Sequence, residues 1–317
     1  MSHNDKIKQI KDEIKKIIIG QEKTIDALLT GFLSDGHILL EGVPGLAKTT
    51  LVKTLSACSG LEFHRVQFTP DLLPSDIIGA QIYNPKDNEF AIKKGPIFTN
   101  ILLADEINRS PAKVQSALLE VMQEKQVTIG DESFKIDLPF LVLATQNPIE
   151  QEGAYALPEA QLDRFMFKVI VDYNTKEEEF QVAKQAFDRN DTPINNVLSK
   201  EDLILMKEEV KKVHIDDELV TYIINLIDAT RNPQDYKLEK LQEYITFGAS
   251  PRGSIDLLKA AKATAFIRGY DFVTPVDIGL IFKDTLRHRI GISYEAEASD
   301  ITSDDILGEI LKTIPSP

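Results

Sequence analysis

Short apolar runs alternate with longer amphipathic stretches through the first half of the chain. Four of these runs have the length of buried strands, and polar residues follow several of them. They cover residues 37–40, 101–104, 140–144 and 167–171. Residues 61–68 alternate apolar and polar side chains, which predicts a half-buried strand. Because the segments between them have helical periodicity, we predict a parallel α/β sheet flanked by helices.

Helical periodicity becomes nearly continuous in the second half. Of the earlier predicted helices, one covers residues 1–19 and another covers residues 49–58. Two more begin at Gln21 and at Pro111. The later ones cover residues 175–188, 200–210, 216–230, 252–267 and 275–289, and several begin with Ser, Thr or Asp as a cap. We therefore predict an α/β core over residues 1–172 and an all-α domain over residues 173–317.

Two segments break the pattern of the core. Residues 69–96 are punctuated by proline and glycine, and Asp71, Asp76 and Asp87 are typical turn residues, so we predict an insertion with a short helix and a hairpin. Residues 126–138 predict a second hairpin. Its expected strand partners are Val127 and Ile129 on one side of Gly130–Asp131, and Phe134 and Ile136 on the other.

Composition narrows the class of protein. The 317 residues include 36 basic and 50 acidic side chains, a formal net charge of −14. No cluster of lysine and arginine is present, which favours protein partners over nucleic acid. A second interpretation stays open, namely that the acidity only keeps the molecule soluble.

The ends and the cysteine content narrow it further. Residues 1–16 are rich in charge, and no apolar run has the length of a membrane span, so we expect a cytoplasmic protein. Cys58 is the only cysteine and lies on the apolar side of a predicted helix. This excludes a disulfide within the chain and predicts a buried thiol.

Residues 41–50 read Glu-Gly-Val-Pro-Gly-Leu-Ala-Lys-Thr-Thr and lie between a predicted strand and a predicted helix. Glycines let backbone N–H groups turn inward, the helix points its positive end at the same place, and lysine and threonine can reach phosphate and magnesium. A turn that needs glycine only for its geometry would not explain a lysine followed by two threonines. The predicted nucleotide-binding residues are Gly42, Val43, Pro44, Gly45, Leu46, Ala47, Lys48, Thr49 and Thr50.

Ala47 stands where the usual pattern Gly-x-x-x-x-Gly-Lys-[Ser/Thr] has its second glycine. A non-glycine residue strongly prefers a right-handed backbone. We therefore expect Ala47 to be right-handed, as part of the first helical turn.

Polar residues follow two of the predicted buried strands. Asp105 and Glu106 end one of them, and Asn147 follows another. Open α/β sheets bind ligands at the carboxyl ends of their strands, so we expect these side chains beside the phosphate loop. Asp105 and Thr49 would hold magnesium, Glu106 would deprotonate water, and Asn147 would polarise it or contact the terminal phosphate. The alternative for both segments is an ordinary solvated turn.

Three further positions carry weaker signals. Ile19 and Gly20 form an apolar corner just before the phosphate loop, which could cover an adenine ring or serve packing alone. Arg164 follows Asp163, and such pairs are most often surface ion pairs worth little. Leu157 and Leu162 in the same segment are expected to pack, while Glu159 and Arg164 face outward. Arg252 begins a helix and could face the nucleotide.

The motifs together resemble the MoxR family of AAA+ ATPases over nearly the whole chain. The segments that carry the resemblance are Gly-Val-Pro-Gly-Leu-Ala-Lys-Thr, Leu-Ala-Asp-Glu-Ile-Asn-Arg, Ala-Thr-Gln-Asn-Pro and Leu-Pro-Glu-Ala-Gln-Leu-Asp-Arg-Phe. Alanine in the place of Ala47 is also a trait of the family. The resemblance implies a P-loop NTPase core, an all-α lid domain, ATP and Mg²⁺ as cofactors, and a homo-oligomeric ring, expected to be a hexamer.

The resemblance also implies roles for single residues. It makes residues 42–49 the Walker A loop, Asp105 and Glu106 the Walker B pair, Asn147 sensor 1, Arg164 the arginine finger and Arg252 sensor 2. Whether Arg252 acts in its own subunit or in a neighbour stays open. Residues 69–96 would be the helix-2 insertion, and the expected partners are a von Willebrand factor A domain protein and a client enzyme.

Two rival functions stay open from the sequence. A DNA translocase of the same clade would need basic residues in the insertion, where only Lys86, Lys93 and Lys94 could supply them. A switch that binds ATP and scarcely hydrolyses it would be at odds with the presence of Glu106 and Asn147. A chaperone-like ATPase that remodels or matures client proteins is the function the sequence favours.

Overall fold

The computed structural model describes residues 3–86, 88–148, 155–187 and 193–317. Four sequence predictions touch residues outside these ranges. They concern the first two residues of the predicted helix 1–19, the turn residue Asp87, the segment with Leu157 and Arg164, which is taken to begin at Gly153, and the end at Asp188 of the first helix in the all-α half.

Within the described residues, strands and helices alternate through the first half of the chain. The second half is mostly helical. The strands are β1 (Ile38–Glu41), β2 (Phe63–Gln67), β3 (Gly79–Asn84), β4 (Glu89–Lys94), β5 (Ile101–Asp105), β6 (Gln126–Ile129), β7 (Glu132–Lys135), β8 (Leu141–Gln146), β9 (Phe167–Ile170), β10 (Ile245–Phe247) and β11 (Gly291–Ile292). The helices are α1 (His3–Lys15), α2 (Glu22–Leu33), α3 (Lys48–Ser59), α4 (Pro74–Ile78), α5 (Ala112–Glu124), α6 (Glu159–Leu162), α7 (Lys176–Phe187), α8 (Lys200–Lys212), α9 (Asp217–Asp228), α10 (Pro251–Ile267), α11 (Pro275–Leu286), α12 (Tyr294–Ala298) and α13 (Ser303–Thr313).

A parallel sheet in the order β2-β5-β8-β1-β9 forms the centre of the α/β part. All of β5 and all of β8 except its last residue are buried, as expected for central strands covered on both faces. The edge strand β2 is less buried. Because β5, β8 and β1 are neighbours, the residues that follow them lie at one edge of the sheet, and this confirms the predicted α/β fold class.

The predicted insertion is confirmed by α4 and by the antiparallel pair β3–β4. The second hairpin, β6–β7, differs from the prediction in part of its register. Val127 pairs with Phe134, one of the two predicted partners, but Ile129 pairs with Glu132, which is neither of them. Gly130 and Asp131 form a two-residue loop, and the residues that flank such a loop must face each other.

The prediction that the first helix continues to Ile19 was wrong, because α1 ends at Lys15. The chain turns at Gly20 and Gln21, which have φ of 71° and 62° and therefore cannot continue a right-handed helix. The side-chain amide of Asn174 donates to the carbonyl oxygen of Ile19 at 3.2 Å. A polar contact thus holds this corner in place.

Contacts between Cα atoms divide the chain into two compact units. The first comprises Met1–Ile25, His37–Arg164 and Val169–Ile204, and the second comprises Asp26–Gly36, Phe165–Lys168 and Leu205–Pro317. These units do not correspond one to one to the predicted domains 1–172 and 173–317, and the boundary after Asp172 stays a prediction. No helix within the described residues is both long and apolar enough to cross a lipid bilayer.

The second unit is mostly helical and includes α9, α10 and α11 as expected, together with two helices that we did not predict, α12 and α13. The start of α13 carries a readable signal, since Thr302 and Asp305 form a capping box. Within this unit His288 Nε2 and Arg289 Nη2 both donate to the carbonyl oxygen of Phe165, each at 2.9 Å. Burial, with the neighbouring charge of Arg289, holds the pKa of His288 well below its ordinary value.

Candidate nucleotide site

The loop between β1 and α3 needs its two glycines for different reasons. Gly45 has φ of 91°, which side chains rarely tolerate, although a Cβ there would meet no described atom within 4 Å. At Gly42 a Cβ would lie 2.8 Å from the carbonyl oxygen of Val171, just after β9. One glycine therefore permits the turn, and the other permits close packing at the base of the loop.

Ala47 is left-handed, with φ of 55° and ψ of 20°, so the expectation of a right-handed backbone was wrong. It lies immediately before α3 and is not part of the helix. Its carbonyl oxygen nevertheless accepts the bond from Leu51 N, at 2.8 Å. The chain thus makes a left-handed turn at the last residue of the loop, at a cost of about 1 kcal/mol for a residue with a Cβ.

Lys48 is half-buried. Its Nζ donates to the carbonyl oxygen of Gly42, within the same loop. Burial lowers its pKa, while the carboxylates of Asp105, Glu106 and Glu41 act in the opposite direction. A partly desolvated ammonium group gains strongly from an anionic ligand that can replace the carbonyl.

Asp105 lies at the end of β5, 8% exposed, with donors on both carboxylate oxygens. Oδ1 accepts from Thr145 Oγ1 at 2.5 Å. Oδ2 accepts from Thr49 Oγ1 at 3.2 Å and from two nitrogens of Arg65, Nε at 2.9 Å and Nη2 at 2.7 Å. The hydroxyl of Thr49 and the carboxylate of Asp105 are hard oxygen ligands in contact, which fits magnesium.

Glu106 also has a left-handed backbone, with φ of 57° and ψ of 51°. Its N–H donates to Thr145 Oγ1 at 2.8 Å. Its Oε2 accepts from Gln67 Nε2 at 2.7 Å and from Arg109 Nη1 at 2.9 Å. Strained backbone of this kind costs about 1–3 kcal/mol and is concentrated at functional sites.

Most of the predicted phosphate-loop residues, together with Asp105, Glu106 and Asn147, line one cavity of about 430 Å³. It is lined by residues 44–50, by Asp105 and Glu106, and by residues 145–147. Asn147, 5% exposed, follows β8 as expected and lies on this cavity. The arrangement places backbone N–H groups, an ammonium group, two carboxylates and an amide around one space large enough for a phosphate chain.

Sequence reasoning missed four side chains of this site. They are Arg65, Gln67, Arg109 and Thr145, each bonded to Asp105 or Glu106. Arg65 and Gln67 alternate along β2 and so lie on one face of it. The sequence shows this alternation. That the two side chains reach the carboxylates of the site follows only from the pairing of β2 with β5, where Gln67 faces Asp105.

The corner at Ile19 and Gly20 is connected to the base of the phosphate loop through the chain after β9. Gln21 Nε2 donates to the carbonyl oxygen of Asp172 at 2.8 Å. The preceding residue, Val171, donates its N–H to the carbonyl oxygen of Glu41 at 2.8 Å. The adenine contact of Ile19 and Gly20 stays a prediction.

Arg164 is not among the described residues that line this cavity. Arg164 is half-buried rather than outward-facing, and its Nη1 donates to the carbonyl oxygen of Leu119 on α5 at 2.9 Å. Leu157 is buried and Glu159 exposed as expected, while Leu162 is half-buried. Arg252 is exposed in the first turn of α10, in the second unit, where its N–H donates to Ser250 Oγ at 3.2 Å. The predicted roles of both arginines stay predictions.

Comparisons with known proteins identify the family to which the chain belongs. A family model described as the ATPase family associated with various cellular activities (AAA) matches residues 37–167, and an AAA lid domain matches residues 239–310. A crystal structure from Cytophaga hutchinsonii is 52% identical in sequence, with a TM-score of 0.93 over 99% of this chain and 96% of its own.

Curated relatives cover almost all of the chain. Chaperone MoxR1 of Mycobacterium tuberculosis is 46% identical over 96% of this chain and 81% of its own length. Protein MoxR of Paracoccus denitrificans is 30% identical over 95% of this chain and 93% of its own length. With the phosphate loop, the paired carboxylates and the helical lid in place, this chain belongs to the MoxR family of AAA+ ATPases.

Proposed function

We propose that this chain binds ATP with Mg²⁺ in the cavity between the phosphate loop and the carboxyl ends of β5 and β8, and hydrolyses it. The observation that carries the proposal is that this one cavity is lined by residues 44–50, Asp105, Glu106 and Asn147. Phosphoryl transfer depends on positioning and on charge stabilisation, and these groups supply both.

Each residue of the site has a proposed part. The N–H groups of residues 42–50 and the ammonium group of Lys48 hold the phosphates. Thr49 and Asp105 hold Mg²⁺, which neutralises charge on the phosphate oxygens when it is bound. Glu106 accepts the proton of the attacking water, and Asn147 orients that water.

The adenine ring is proposed to lie at Ile19 and Gly20. Support comes from the chain of contacts that links this corner through residues 171–174 to the base of the phosphate loop. A Cβ at Gly20 would lie 2.7 Å from the carboxyl carbon of Glu178, so the corner is closely packed on one side. A flat base would extend the packed surface.

We propose that the active form is a homo-oligomeric ring, expected to be a hexamer, in which Arg164 acts on the nucleotide of the neighbouring subunit. Among the described residues that line the nucleotide cavity Arg164 does not appear. An arginine that is held by the carbonyl oxygen of Leu119 and lies outside its own site fits a role in a neighbour's site. Arg252 would be a second phosphate sensor, in its own subunit or in the neighbour.

The output of hydrolysis would be chaperone-like work on client proteins. One relative is named a chaperone, and this supports remodelling over other outputs. We propose a von Willebrand factor A domain protein and a client enzyme as partners, a cytoplasmic location, and a boundary near Asp172 between core and lid. Cofactor insertion into the client is one form that this maturation could take.

The test uses Glu106→Gln, which keeps the shape of the side chain but cannot accept a proton. Single-turnover phosphate release should fall by at least about a hundredfold, while ATP binding is kept. The same variant, locked with ATP, should retain client proteins on co-purification. Normal phosphate release by the variant would assign the base to another residue, and no release by the wild-type protein would favour a binding switch.

A DNA translocase is the rival that the basic insertion residues leave open. Lys94 Nζ lies 4.8 Å from the ring centroid of Phe98 and 5.2 Å from that of Phe134. Its charge is thus engaged with aromatic rings of its own chain. Filter binding with single-stranded and duplex DNA should show weak retention at physiological salt, and tight, salt-sensitive binding would reverse this ranking.

A further inference from the structure

The carboxylate of Asp105 is already saturated with donors before any metal or nucleotide is considered. Arg65 Nε and Nη2 and Thr49 Oγ1 all donate to the single oxygen Oδ2, and Thr145 Oγ1 donates to Oδ1. A carboxylate offers about four acceptor positions in all. A water of a magnesium hydration shell would need one of the positions that Arg65 now takes.

Arg65 is also connected, through Gln67, to Glu106, the second carboxylate of the site. It lies on the edge strand β2, with 48% of its side chain exposed. Its Nη2 donates to Gln67 Oε1 at 2.7 Å, and Gln67 Nε2 donates to Glu106 Oε2 at 2.7 Å. One continuous chain of hydrogen bonds therefore runs from Asp105 through Arg65 and Gln67 to Glu106.

Charge makes this arrangement incompatible with a second cation at the same oxygen. A guanidinium group and a divalent ion that share the surroundings of one carboxylate repel each other, and each weakens the binding of the other. Arg65 can leave, because half of its side chain is in solvent and β2 is at the edge of the sheet. Thr49, in contrast, belongs to the phosphate-loop segment and Thr145 to the segment at the end of β8, so neither can leave Asp105 in the same way.

We propose that Arg65 is a resident cation at Asp105, which leaves Oδ2 when magnesium and nucleotide bind. When Arg65 leaves, Gln67 loses its bond from Arg65 Nη2, and the restraint on Glu106 is weakened. Arg65 thus sets how much magnesium the site requires and links occupancy at Asp105 to the freedom of Glu106. This rests on the proposed function, in which Asp105 helps to hold Mg²⁺.

The test measures magnesium dependence of binding rather than turnover. ADP binding is followed by calorimetry in EDTA and at increasing Mg²⁺ for the wild-type protein, Arg65→Gln and Arg65→Lys. The matched control is Arg109→Gln, since Arg109 has a similarly exposed side chain, 46%, and pairs with Glu106 instead of Asp105. Both glutamine variants remove one positive charge beside the same cavity.

We expect Arg65→Gln to lower the Mg²⁺ concentration for half-maximal ADP binding by about fivefold or more. Arg109→Gln should change it by less than about twofold, because its partner is not the proposed metal-holding carboxylate. Arg65→Lys keeps the charge but cannot form the two-nitrogen contact with Oδ2. It should fall between the wild-type protein and Arg65→Gln.

Three results would overturn the inference. They are a higher Mg²⁺ requirement in Arg65→Gln, an unchanged requirement, or an equal shift in Arg109→Gln, which would reflect net charge alone. If thermal unfolding shows that Arg65→Gln is not folded, Arg65→Lys decides, and an Mg²⁺ requirement equal to or above that of the wild-type protein would overturn the inference. A wild-type protein that binds no ADP at any Mg²⁺ concentration would instead refute the proposed function.

Discussion

Lys48 Nζ donates a hydrogen bond to the carbonyl oxygen of Gly42, so the ammonium group folds back over the loop to which it belongs. A phosphate oxygen would replace an uncharged acceptor with an anionic one, which forms the stronger bond. The loop is thus already shaped around a cation that can change partners.

From this contact we predict that Lys48→Ala weakens ATP binding by about a hundredfold or more, the cost of losing a charge-assisted hydrogen bond. The free energy of unfolding should change little, because the side chain is half-buried and contacts its own loop. Calorimetry with ATP checks the affinity, and thermal unfolding checks the fold. Lys53→Ala is the matched control, since Lys53 is exposed on the same helix; unchanged affinity in Lys48→Ala would remove Lys48 from the site.

The backbone of the loop gives a prediction with opposite outcomes at two positions. Ala47→Gly should keep ADP binding and change the free energy of unfolding by less than about 1 kcal/mol, because relief of left-handed strain is offset by a more flexible unfolded chain. Gly45→Ala should lose most ADP binding, since φ of 91° is strained for alanine. Thermal unfolding and calorimetry measure both variants. Equal behaviour of the two would mean that loop conformation does not control the site.

Arg164 is predicted to separate binding from catalysis. Arg164→Ala should bind ATP with nearly normal affinity and hydrolyse it at least about a thousandfold more slowly, the usual effect of losing an arginine finger. Mixing it with Lys48→Ala should restore activity, because an intact phosphate loop in one subunit then meets an intact Arg164 in the next. Phosphate release by the mixture, with labelled subunits to prove co-assembly, is the measurement.

The control for this experiment is each variant alone at the same total concentration. If the subunits demonstrably co-assemble and the mixture stays inactive, a finger that acts on the neighbouring subunit loses its support. Arg164 would then act within its own subunit or hold α5 through the carbonyl oxygen of Leu119.

We predict that Glu13 on α1 makes the stability of the protein depend on pH in the acid range. Its carboxylate accepts from Lys16 Nζ at 2.6 Å and from Asn195 N at 3.1 Å, and these bonds lower its pKa to about 2 from an ordinary 4.5. Its contribution is therefore complete above about pH 4.5 and is lost as the pH falls toward 2. The unfolding temperature of Glu13→Gln should fall less steeply over this range than that of the wild-type protein.

Circular dichroism melts between pH 2 and pH 5 provide the comparison. Asp12→Asn is the matched control, because Asp12 is the preceding residue on α1 and is exposed. Its acid profile should match that of the wild-type protein. A profile of Glu13→Gln that also matches would show that the contacts of Glu13 with Lys16 and Asn195 contribute nothing to stability.

The sequence predicted the sheet strands, the insertion and the site at the carboxyl edge because each has a local signal. Buried strands such as β5 and β8 are unbroken apolar runs, and the phosphate loop has fixed spacing. The pairing of Ile129 with Glu132 was missed because a loop of two residues overrules apolar matching. Here local geometry, and not composition, decided the register.

The remaining misses depend on contacts that no local pattern records. Arg65 and Gln67 reach Asp105 and Glu106 only because β2 lies beside β5. Ala47 and Glu106 adopt left-handed backbones that their residue types disfavour. Such conformations persist where surrounding structure imposes them, so sequence propensity is least informative at the site itself.

The position of β1 between β8 and β9 has a consequence for synthesis of the chain. The strand that leads into the phosphate loop finds its first sheet neighbour only when β8 exists, since Ile38 pairs with Leu143. Before that point on the ribosome, β1 is an apolar segment with neither of its two partners, and such long-range pairing forms slowly. A nascent chain stalled before Leu141 has emerged from the ribosome should bind no ADP, whereas one whose residues through Ile170 have all emerged should bind it.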